Sequence, residues 1–313
     1  MLSAVVGDYL AVEGVDVDIS WDRRLDESCL PDDICGHHRL ACLPVSSAQQ
    51  HDLTFQRLAS DADAVLLIAP EFEGILLDRV RQAVAVGAQL ISPGEALVRE
   101  ASDKLVMARR LDREGVPVPC TALLEPQENW PEDITFPAVI KPVDGAGSQD
   151  IFEVQDLDQV NGLPAWSGNM IAQDRMAGIP ASVAILCGPG IQVPLPPAEQ
   201  RLSDDGRFGY LGGRVPIGEA LADRAQRLAS RALTALPGSV GYVGVDLVLG
   251  ADPTGGEDFV IEVNPRLTTS YVGLRRLCQD NLADAMLRIA GGTATPVSFH
   301  EGSIDFLADG QLR

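Results

Sequence analysis

The segment IEVNPR, residues 261–266, carries the residue types in this chain that are best suited to chemistry. Successive side chains of a strand alternate faces, so Glu262 and Asn264 should point one way and Ile261 the other. Cross-strand pairing would bring Asp246, on the preceding strand, beside Glu262. Oxygen ligands without His or Cys favour Mg²⁺ over zinc. The alternative is a set of edge-strand polar groups that face solvent.

Lys141 interrupts the apolar strand AVIKP and is followed at once by the glycine-rich segment DGAGS. A lysine there must pair with an anion or extend to solvent, because burying an unpaired ammonium is costly. Glycines let backbone N–H groups approach phosphate oxygens closely. The lysine precedes the glycines, unlike in a P-loop, and a solvated β-turn is the alternative for this segment.

Lys104 lies in the first turn of a predicted helix over residues 102–115, for which Ser102 is the expected N-cap. A cation is unfavourable there because the N-terminal end of the helix dipole is positive. A bound anion would remove that conflict. The alternative is a lysine extended into solvent, at a small cost in free energy.

The composition limits the classes of partner. The 313 residues carry a formal net charge of -21, which argues against nucleic acids and anionic membranes. A hydrophobic fraction of 46% predicts a globular core. No apolar run approaches the ~18 residues of a membrane span, and no secretory signal follows Met1, so we expect a cytoplasmic protein.

The cysteines are too sparse for a disulfide scaffold, so we expect reduced thiols. One cluster combines them with histidines: Cys29, Cys35, His37, His38 and Cys42. Its spacing fits none of the zinc patterns, which favours structural thiols and loop histidines over a metal site.

The elements that must position these residues fall into two regions. Residues 1–94 begin on a helix that stops near Gly14, and apolar runs at 64–69 and 88–92 predict buried parallel strands around a helix at 76–86. This pattern indicates a Rossmann-like α/β unit without a nucleotide fingerprint.

The second region, residues 95–313, is rich in predicted strands. We expect a strand on each side of the glycine-rich segment, two more strands over 169–188, and a β-hairpin in which ADPTGGE joins the strands of Asp246 and Glu262. Helices are predicted over 216–236 and 281–289.

Taken together, SDKL, G-x-P-x-P, FPAVIKP with its glycine loop, AQDRMAG-x-x-x-S, GVDLV and IEVNPR resemble, in this order, the ATP-grasp superfamily of carboxylate-amine ligases over about residues 93–287. YLGGRVPI and EVNPRLTTSYVGLRR are similar to the tyramine-glutamate ligase family of methanofuran biosynthesis. The resemblance implies a mixed α/β and α+β chain: a Rossmann-like pre-ATP-grasp domain over 1–94, lacking its first strand, then a two-subdomain ATP-grasp domain over 95–313 with a lid at about 115–180.

The resemblance also implies roles for individual residues. ATP phosphates would contact Lys104 and Lys141, with Lys141 and Arg266 as catalytic residues. The remaining implied ligands are, for the glycine-rich lid loop, Gly145, Gly147 and Ser148; for adenine, Gln173, Asp174 and Met176; and for Mg²⁺, or Mn²⁺ as the alternative metal, Asp246, Glu262 and Asn264.

The implied reaction joins small-molecule substrates, a carboxylate and an amine, through an acyl phosphate, with glutamate and tyramine or tyrosine as the pair that the narrower resemblance suggests. The competing hypothesis is a catalytically degenerate nucleotide-binding regulatory or scaffold protein. It is motivated by the absent first strand and by Ile179, Pro180 and Ala181, which stand where many relatives have a ribose-binding Glu.

Three arginines in the C-terminal half of the chain could bind a substrate. Arg214, Arg275 and Arg276 are candidate binders of a substrate carboxylate, with surface salt bridges as the alternative. We leave the oligomeric state open, a homo-oligomer included.

Overall fold

A computed structural model describes residues 1–25, 34, 36–125, 130–145, 147, 149–166 and 168–313. The N-terminal region contains helices α1 (Leu2–Leu10), α2 (Ala48–Asp61) and α3 (Ile75–Ala85) and the parallel strands β1 (Val17–Asp22) and β2 (Leu40–Val45). The predicted opening helix is confirmed, while β2 and α2 were not predicted.

The two predicted strands at 64–69 and 88–92 are not formed as strands. A single parallel bridge, Val65 to Leu90, joins the two segments. The next amide in line, Leu67 N–H, donates to the Ser92 hydroxyl at 2.6 Å instead of to a backbone carbonyl. The side-chain acceptor ends the ladder after one bridge, which apolar periodicity could not reveal.

Two helices lead into the second region, α4 (Glu95–Ser102) and α5 (Lys104–Arg113). The predicted N-cap is wrong, because Ser102 ends α4. Asp103 caps α5, and its carboxylate accepts a hydrogen bond from Val106 N–H at 2.9 Å. Lys104 is therefore the first residue of α5, as its predicted place in the first turn requires.

A small antiparallel sheet follows, with the strand order β3-β6-β4-β5. Its elements are β3 (Thr121–Leu124), β4 (Ala138–Pro142), β5 (Phe152–Val154), helix α6 (Leu157–Asn161) and β6 (Met170–Asp174). One face buries Ile140 and Ala172 in a core of its own. Because side chains alternate, the neighbouring Lys141 and Gln173 lie on the opposite face.

A seven-stranded antiparallel sheet forms the rest, with the order β12-β11-β7-β9-β10-β13 and β8 paired with β7. Its strands are β7 (Ile179–Gly188), β8 (Ile191–Pro194), β9 (Ala198–Leu202), β10 (Tyr210–Val215), β11 (Gly241–Leu249), β12 (Phe259–Asn264) and β13 (Ile304–Leu307). The predicted hairpin of β11 and β12 is confirmed.

Helices cover both faces of this large sheet. Helix α7 (Glu219–Ala235) packs on one face in a core that contains Val243 and Val245. Helices α8 (Tyr271–Leu277) and α9 (Leu282–Ala290) pack with α1 on the other face, around Tyr242. Because side chains alternate along β11, Tyr242 lies in one core, and Val243 and Val245 in the other. Asp246, further along the strand, lines an open cavity between the large and the small sheet.

Candidate active site

A cavity of about 780 Å³ lies between the small and large sheets, the size range of pockets for nucleotide-sized ligands. All predicted site residues that the structure describes line this one cavity: Lys104, Lys141, Gly145, Gly147, Gln173, Asp174, Met176, Asp246, Glu262, Asn264 and Arg266. Ser148 lies outside the described residues. Residues up to 162 positions apart in sequence, Lys104 and Arg266, are thereby brought to one place.

Two carboxylates face each other in the large sheet. Asp246 on β11 pairs directly with Glu262 on β12, as the sequence predicts. The Asp246 carboxylate accepts hydrogen bonds from the Gln200 and Asn264 amides, each at 3.0 Å. Removal from bulk water and the neighbouring Glu262 charge raise the pKa of Asp246 to about 6.

This donor set fits a hard divalent cation. The pKa of Asp246 is raised first by burial and then by repulsion from Glu262, and such a cation would stabilise the charged carboxylates against both, since oxygen ligands are those it prefers. Among the described residues no group of three or more His, Cys, Asp and Glu side chains could hold a metal ion. A metal here would therefore rely on Asp246, Glu262 and the Asn264 amide oxygen, with the remaining ligands from water and substrate.

One prediction about this strand is wrong. Ile261 was expected on the face opposite Glu262, yet both residues line the cavity. The register between β11 and β12 shifts after the Asp246–Glu262 pair, so that Leu247 pairs with Val260. This bulge leaves Ile261 without an opposite residue and breaks the two-residue alternation, which adds an apolar side chain to the cavity wall.

Two ammonium groups stand opposite the carboxylates. The Lys104 Nζ donates to the Gly145 carbonyl at 2.8 Å and lies 3.7 Å from a Glu262 carboxylate oxygen. Lys141 is buried, and burial, with a smaller contribution from the Lys104 charge, lowers its pKa to about 8 although Glu262 opposes the shift. The chain contains no other lysine, and its other 22 strong bases are arginines.

Lys141 should make anion binding pH-dependent. Nucleotide affinity should fall about tenfold between pH 7 and pH 9, because Lys141 loses its proton near pH 8 unless a phosphate holds it. Titration calorimetry with ADP at a series of pH values measures this. Lys141→Arg is the control, since arginine keeps its charge and its affinity should not follow this slope. A flat wild-type profile from pH 7 to 9 would contradict the prediction.

The wall formed by β6 is held by β3 and by the segment that precedes β4. The Gln173 amide donates to the Thr121 hydroxyl at 2.8 Å, and the Asp174 carboxylate accepts from the Thr135 amide at 2.8 Å. The Met176 carbonyl accepts a hydrogen bond from the Arg175 guanidinium. These contacts hold the end of β6 and the start of the connection to the large sheet in place.

Sequence reasoning missed Glu71, which is 5% exposed and places a carboxylate oxygen 2.8 Å from Arg266 Nε. Burial raises the pKa of Glu71, while the Arg266 charge lowers it by less. A signal was available, because Glu71 follows the apolar run 64–69. Sites in α/β folds lie at the carboxyl ends of such segments.

Sequence reasoning also missed the hairpin of β9 and β10, which lines the cavity on a further side. Its tip reaches the small sheet, where the Gly206 carbonyl accepts from Glu153 N–H at 2.8 Å. The Arg207 guanidinium lies over the Phe152 ring, 4.0 Å from its centroid. These contacts join the two sheets beside the cavity.

The three arginines suggested as carboxylate binders lie elsewhere. Arg214 forms an ion pair with Asp305 at 2.8 Å, and Arg275 forms hydrogen bonds with Asp8 on α1. In the described part of the chain neither they nor Arg276 line the cavity. The alternative interpretation, salt bridges, holds for Arg214 and Arg275.

The sequence was compared with models of known protein families. The model of the ATP-grasp domain matches residues 101–270, more than half of the chain. The chain belongs to the ATP-grasp family. The model of the pre ATP-grasp 3 domain matches residues 15–97, so the predicted fold class is confirmed. ATP-grasp enzymes use ATP and divalent metals in general, which agrees with the charges that line this cavity.

Individual ATP-grasp relatives are similar over most of the chain. Tyramine–L-glutamate ligase of Methanocaldococcus fervens is 28% identical over 228 residues, 73% of this chain and 66% of the relative. The enzyme of the same name from Methanocaldococcus jannaschii is 26% identical over 232 residues, 74% of this chain and 64% of the relative. The matched region thus spans just under two thirds of these relatives' length.

The crystal structure of an L-amino acid ligase from Bacillus licheniformis superposes on this ATP-grasp chain with a TM-score of 0.72. The match covers 92% of this chain and 71% of that one at 17% identity, and so supports the fold alone. No helix among the described residues is long and apolar enough to cross a membrane.

Proposed function

We propose that this protein is an ATP- and divalent-metal-dependent carboxylate-amine ligase. The observation that carries the proposal is the convergence of Lys104, Lys141, Asp246, Glu262 and Arg266 on one cavity. Phosphoryl transfer is catalysed mainly by charge stabilisation and positioning. The cavity supplies cations for the phosphates, namely two ammonium groups and a guanidinium, and two carboxylates that could bind a metal ion. The names of the two methanogen relatives support glutamate as the carboxylate and tyramine as the amine, with tyrosine as the alternative amine.

The sheets suggest how ATP would lie. We assign its phosphates to Lys104 and Lys141, beside the Gly145 and Gly147 backbone, because a polyphosphate would neutralise both buried ammonium groups. Adenine is assigned to the β6 wall at Gln173, Asp174 and Met176. The small sheet, within the lid of about 115–180, would then cover the nucleotide.

Asp246, Glu262 and Asn264 are proposed to hold Mg²⁺, or Mn²⁺ in its place. The metal would neutralise charge on the ATP phosphates while the γ-phosphoryl group is transferred. Asn264 can hold Asp246 and bind a metal at the same time: its amide N–H₂ donates to Asp246, and its oxygen accepts a long 3.5 Å contact from Arg266 but has a second lone pair for a metal.

The proposed reaction has two steps. A substrate carboxylate oxygen attacks the γ-phosphorus, the bond to the β,γ-bridging oxygen breaks, and ADP leaves with that electron pair. The amine nitrogen then attacks the acyl phosphate carbon, inorganic phosphate departs, and the amine proton passes to solvent. Lys141 and Arg266 would stabilise charge on the transferred phosphoryl group, and the closed small sheet would limit hydrolysis of the acyl phosphate.

A product screen tests this function. Purified full-length protein with ATP, Mg²⁺ and glutamate should convert tyramine or tyrosine to an amide that mass spectrometry detects, with one phosphate released per amide. Reactions without ATP are the control. ATP binding without phosphate release for every tested pair of amine and amino-acid carboxylate would overturn the proposal and favour the scaffold hypothesis.

A further inference from the structure

Glu71 is a buried carboxylate that the proposed reaction has not used. It lies in the turn of residues 70–74, which includes the short 3-10 helix Phe72–Gly74 and directly follows the apolar run 64–69 of the pre-ATP-grasp region. Its Oε1 is 2.8 Å from Arg266 Nε, yet neither Glu71 oxygen nor Arg266 Nε has an aligned hydrogen-bond partner among the described residues. The contact is therefore one of charge rather than of a directed hydrogen bond.

Burying a carboxylate such as Glu71 does little to stabilise a fold. Removing a carboxylate from water is strongly unfavourable, and a well-packed apolar side chain of similar size is often at least as stabilising. Glu71 is 5% exposed and the Arg266 side chain 18%, so water offsets little of that cost. A role at the neighbouring site explains the residue better than a role in stability.

Arg266 is the group that depends on this contact. Within the described part of the chain its side-chain hydrogen bonds are long: Nη1 donates to the Leu267 carbonyl at 3.2 Å and Nη2 to the Asn264 side-chain oxygen at 3.5 Å. A flexible arginine held only by these would sample several rotamers. Glu71 approaches Nε from the opposite domain and restricts the guanidinium to the cavity wall.

The same turn makes a second contact with the site. Glu73 N–H donates to the Asp144 carboxylate at 3.1 Å, and Asp144 directly precedes Gly145, the acceptor of the Lys104 ammonium. Glu73 and Gly74 both have left-handed backbone, at φ 54° and 70°. A left-handed backbone is unfavourable for Glu, because its Cβ comes close to the following carbonyl oxygen. Strain of this kind is kept where the surrounding structure needs the geometry.

We propose that Glu71 is a positioning residue for Arg266, through which the pre-ATP-grasp region completes the active site of the ATP-grasp domain. The inference rests on the proposed function for its kinetic consequence. In this proposal Glu71 does not touch the substrates and acts only by holding Arg266 in place.

The test is a double-mutant cycle of Glu71→Gln and Arg266→Lys. We expect Glu71→Gln to lower kcat about 10- to 100-fold, the usual cost of losing a group that orients an active-site ligand, with a KM for the amine close to wild type. In the Arg266→Lys background the same change should add little, because residues that act as a unit are non-additive. Glu95→Gln, which breaks a surface ion pair with Arg99, is the matched control and should leave kcat unchanged.

A second readout needs no turnover. Calorimetry with Mg²⁺ should show that the wild type binds β,γ-imido-ATP more tightly than ADP, and that Glu71→Gln and Arg266→Lys each reduce that preference by a similar, non-additive factor. If Glu71→Gln fails to fold, Glu71→Asp replaces it. It keeps the charge, falls one methylene short of Arg266, and should show the same loss.

The outcomes separate the two proposals. Equal factors for Glu71→Gln in the wild-type and Arg266→Lys backgrounds, or a kcat like that of Glu95→Gln, would overturn the positioning role while the ligase activity stands. A wild type that makes no amide, but whose analogue preference depends on Glu71 and Arg266 jointly, would overturn the ligase function and support the positioning role.

Discussion

Glu262→Gln should lower ATP-dependent amide formation by roughly 100- to 1,000-fold, the loss seen when one preorganised charge-stabilising group is removed from an active site. The substitution keeps the shape of the side chain but removes a charged metal ligand, and it removes the anion 3.7 Å from the Lys104 ammonium. Steady-state rates of phosphate release and amide formation at saturating ATP measure the effect.

Glu257→Gln is the matched control, since Glu257 lies in the loop of the same hairpin, does not line the cavity, and accepts a hydrogen bond from Asp252 N–H at 3.3 Å. Its rate should equal that of the wild type. Mg²⁺ should also raise the midpoint of thermal unfolding of the wild type more than that of Glu262→Gln. Equal rates for Glu262→Gln and wild type would favour the regulatory or scaffold protein.

Lys141→Met should lower kcat by a similar factor, roughly 100- to 1,000-fold, while the free energy of unfolding at pH 7 stays unchanged or rises by up to about 3 kcal/mol. The lowered pKa of Lys141 means that its surroundings disfavour the ammonium, despite the two carboxylates nearby. An apolar side chain of similar length removes that penalty and also removes a cation from the phosphate site.

The stability gain should depend on pH in one direction. Below about pH 8 Lys141 is charged in both the folded and unfolded states, so the penalty is fully present in the wild type. Between about pH 8 and 10.5 the folded protein has released the proton and the unfolded chain still binds it, so wild-type stability recovers and the difference from Lys141→Met shrinks.

Urea unfolding at pH 7 and pH 10 measures this difference. Arg288→Met, which removes a surface cation paired with Asp284, is the control and should show no such pH dependence. A Lys141→Met variant that is several kcal/mol less stable than the wild type at pH 7 would show that the lysine is a structural residue.

The two lysines also show how far sequence reasoning reaches. Each was noticed through a local conflict: a cation at a helix N-terminus for Lys104, and an ammonium within an apolar strand for Lys141. Both conflicts follow from rules that act over a few residues, which a single sequence can reveal. That the two side chains share one cavity required the fold, because α5 and β4 come together only through tertiary packing.

The wrong predictions concern features that depend on contacts between distant segments. Ile261 was assigned to the wrong face because a bulge depends on the register with the neighbouring strand, which the sequence of β12 does not contain. The apolar segments 64–69 and 88–92 have the composition of strands, but the Ser92 hydroxyl takes the place of a ladder carbonyl. Ser102 and Asp103 are both good N-caps, and the start of α5 decided between them.

The sequence by itself determined the chemical inventory of this protein: two lysines, two carboxylates and an amide, placed by local patterns on strand faces and at a helix start, and an arginine, Arg266, that the family resemblance added. These are local properties, set by alternation and backbone geometry. Only the tertiary structure decided that they face one cavity, and that a carboxylate from the pre-ATP-grasp region, Glu71, reaches Arg266. Contacts between distant segments arise from the packing of whole elements, which local patterns do not encode.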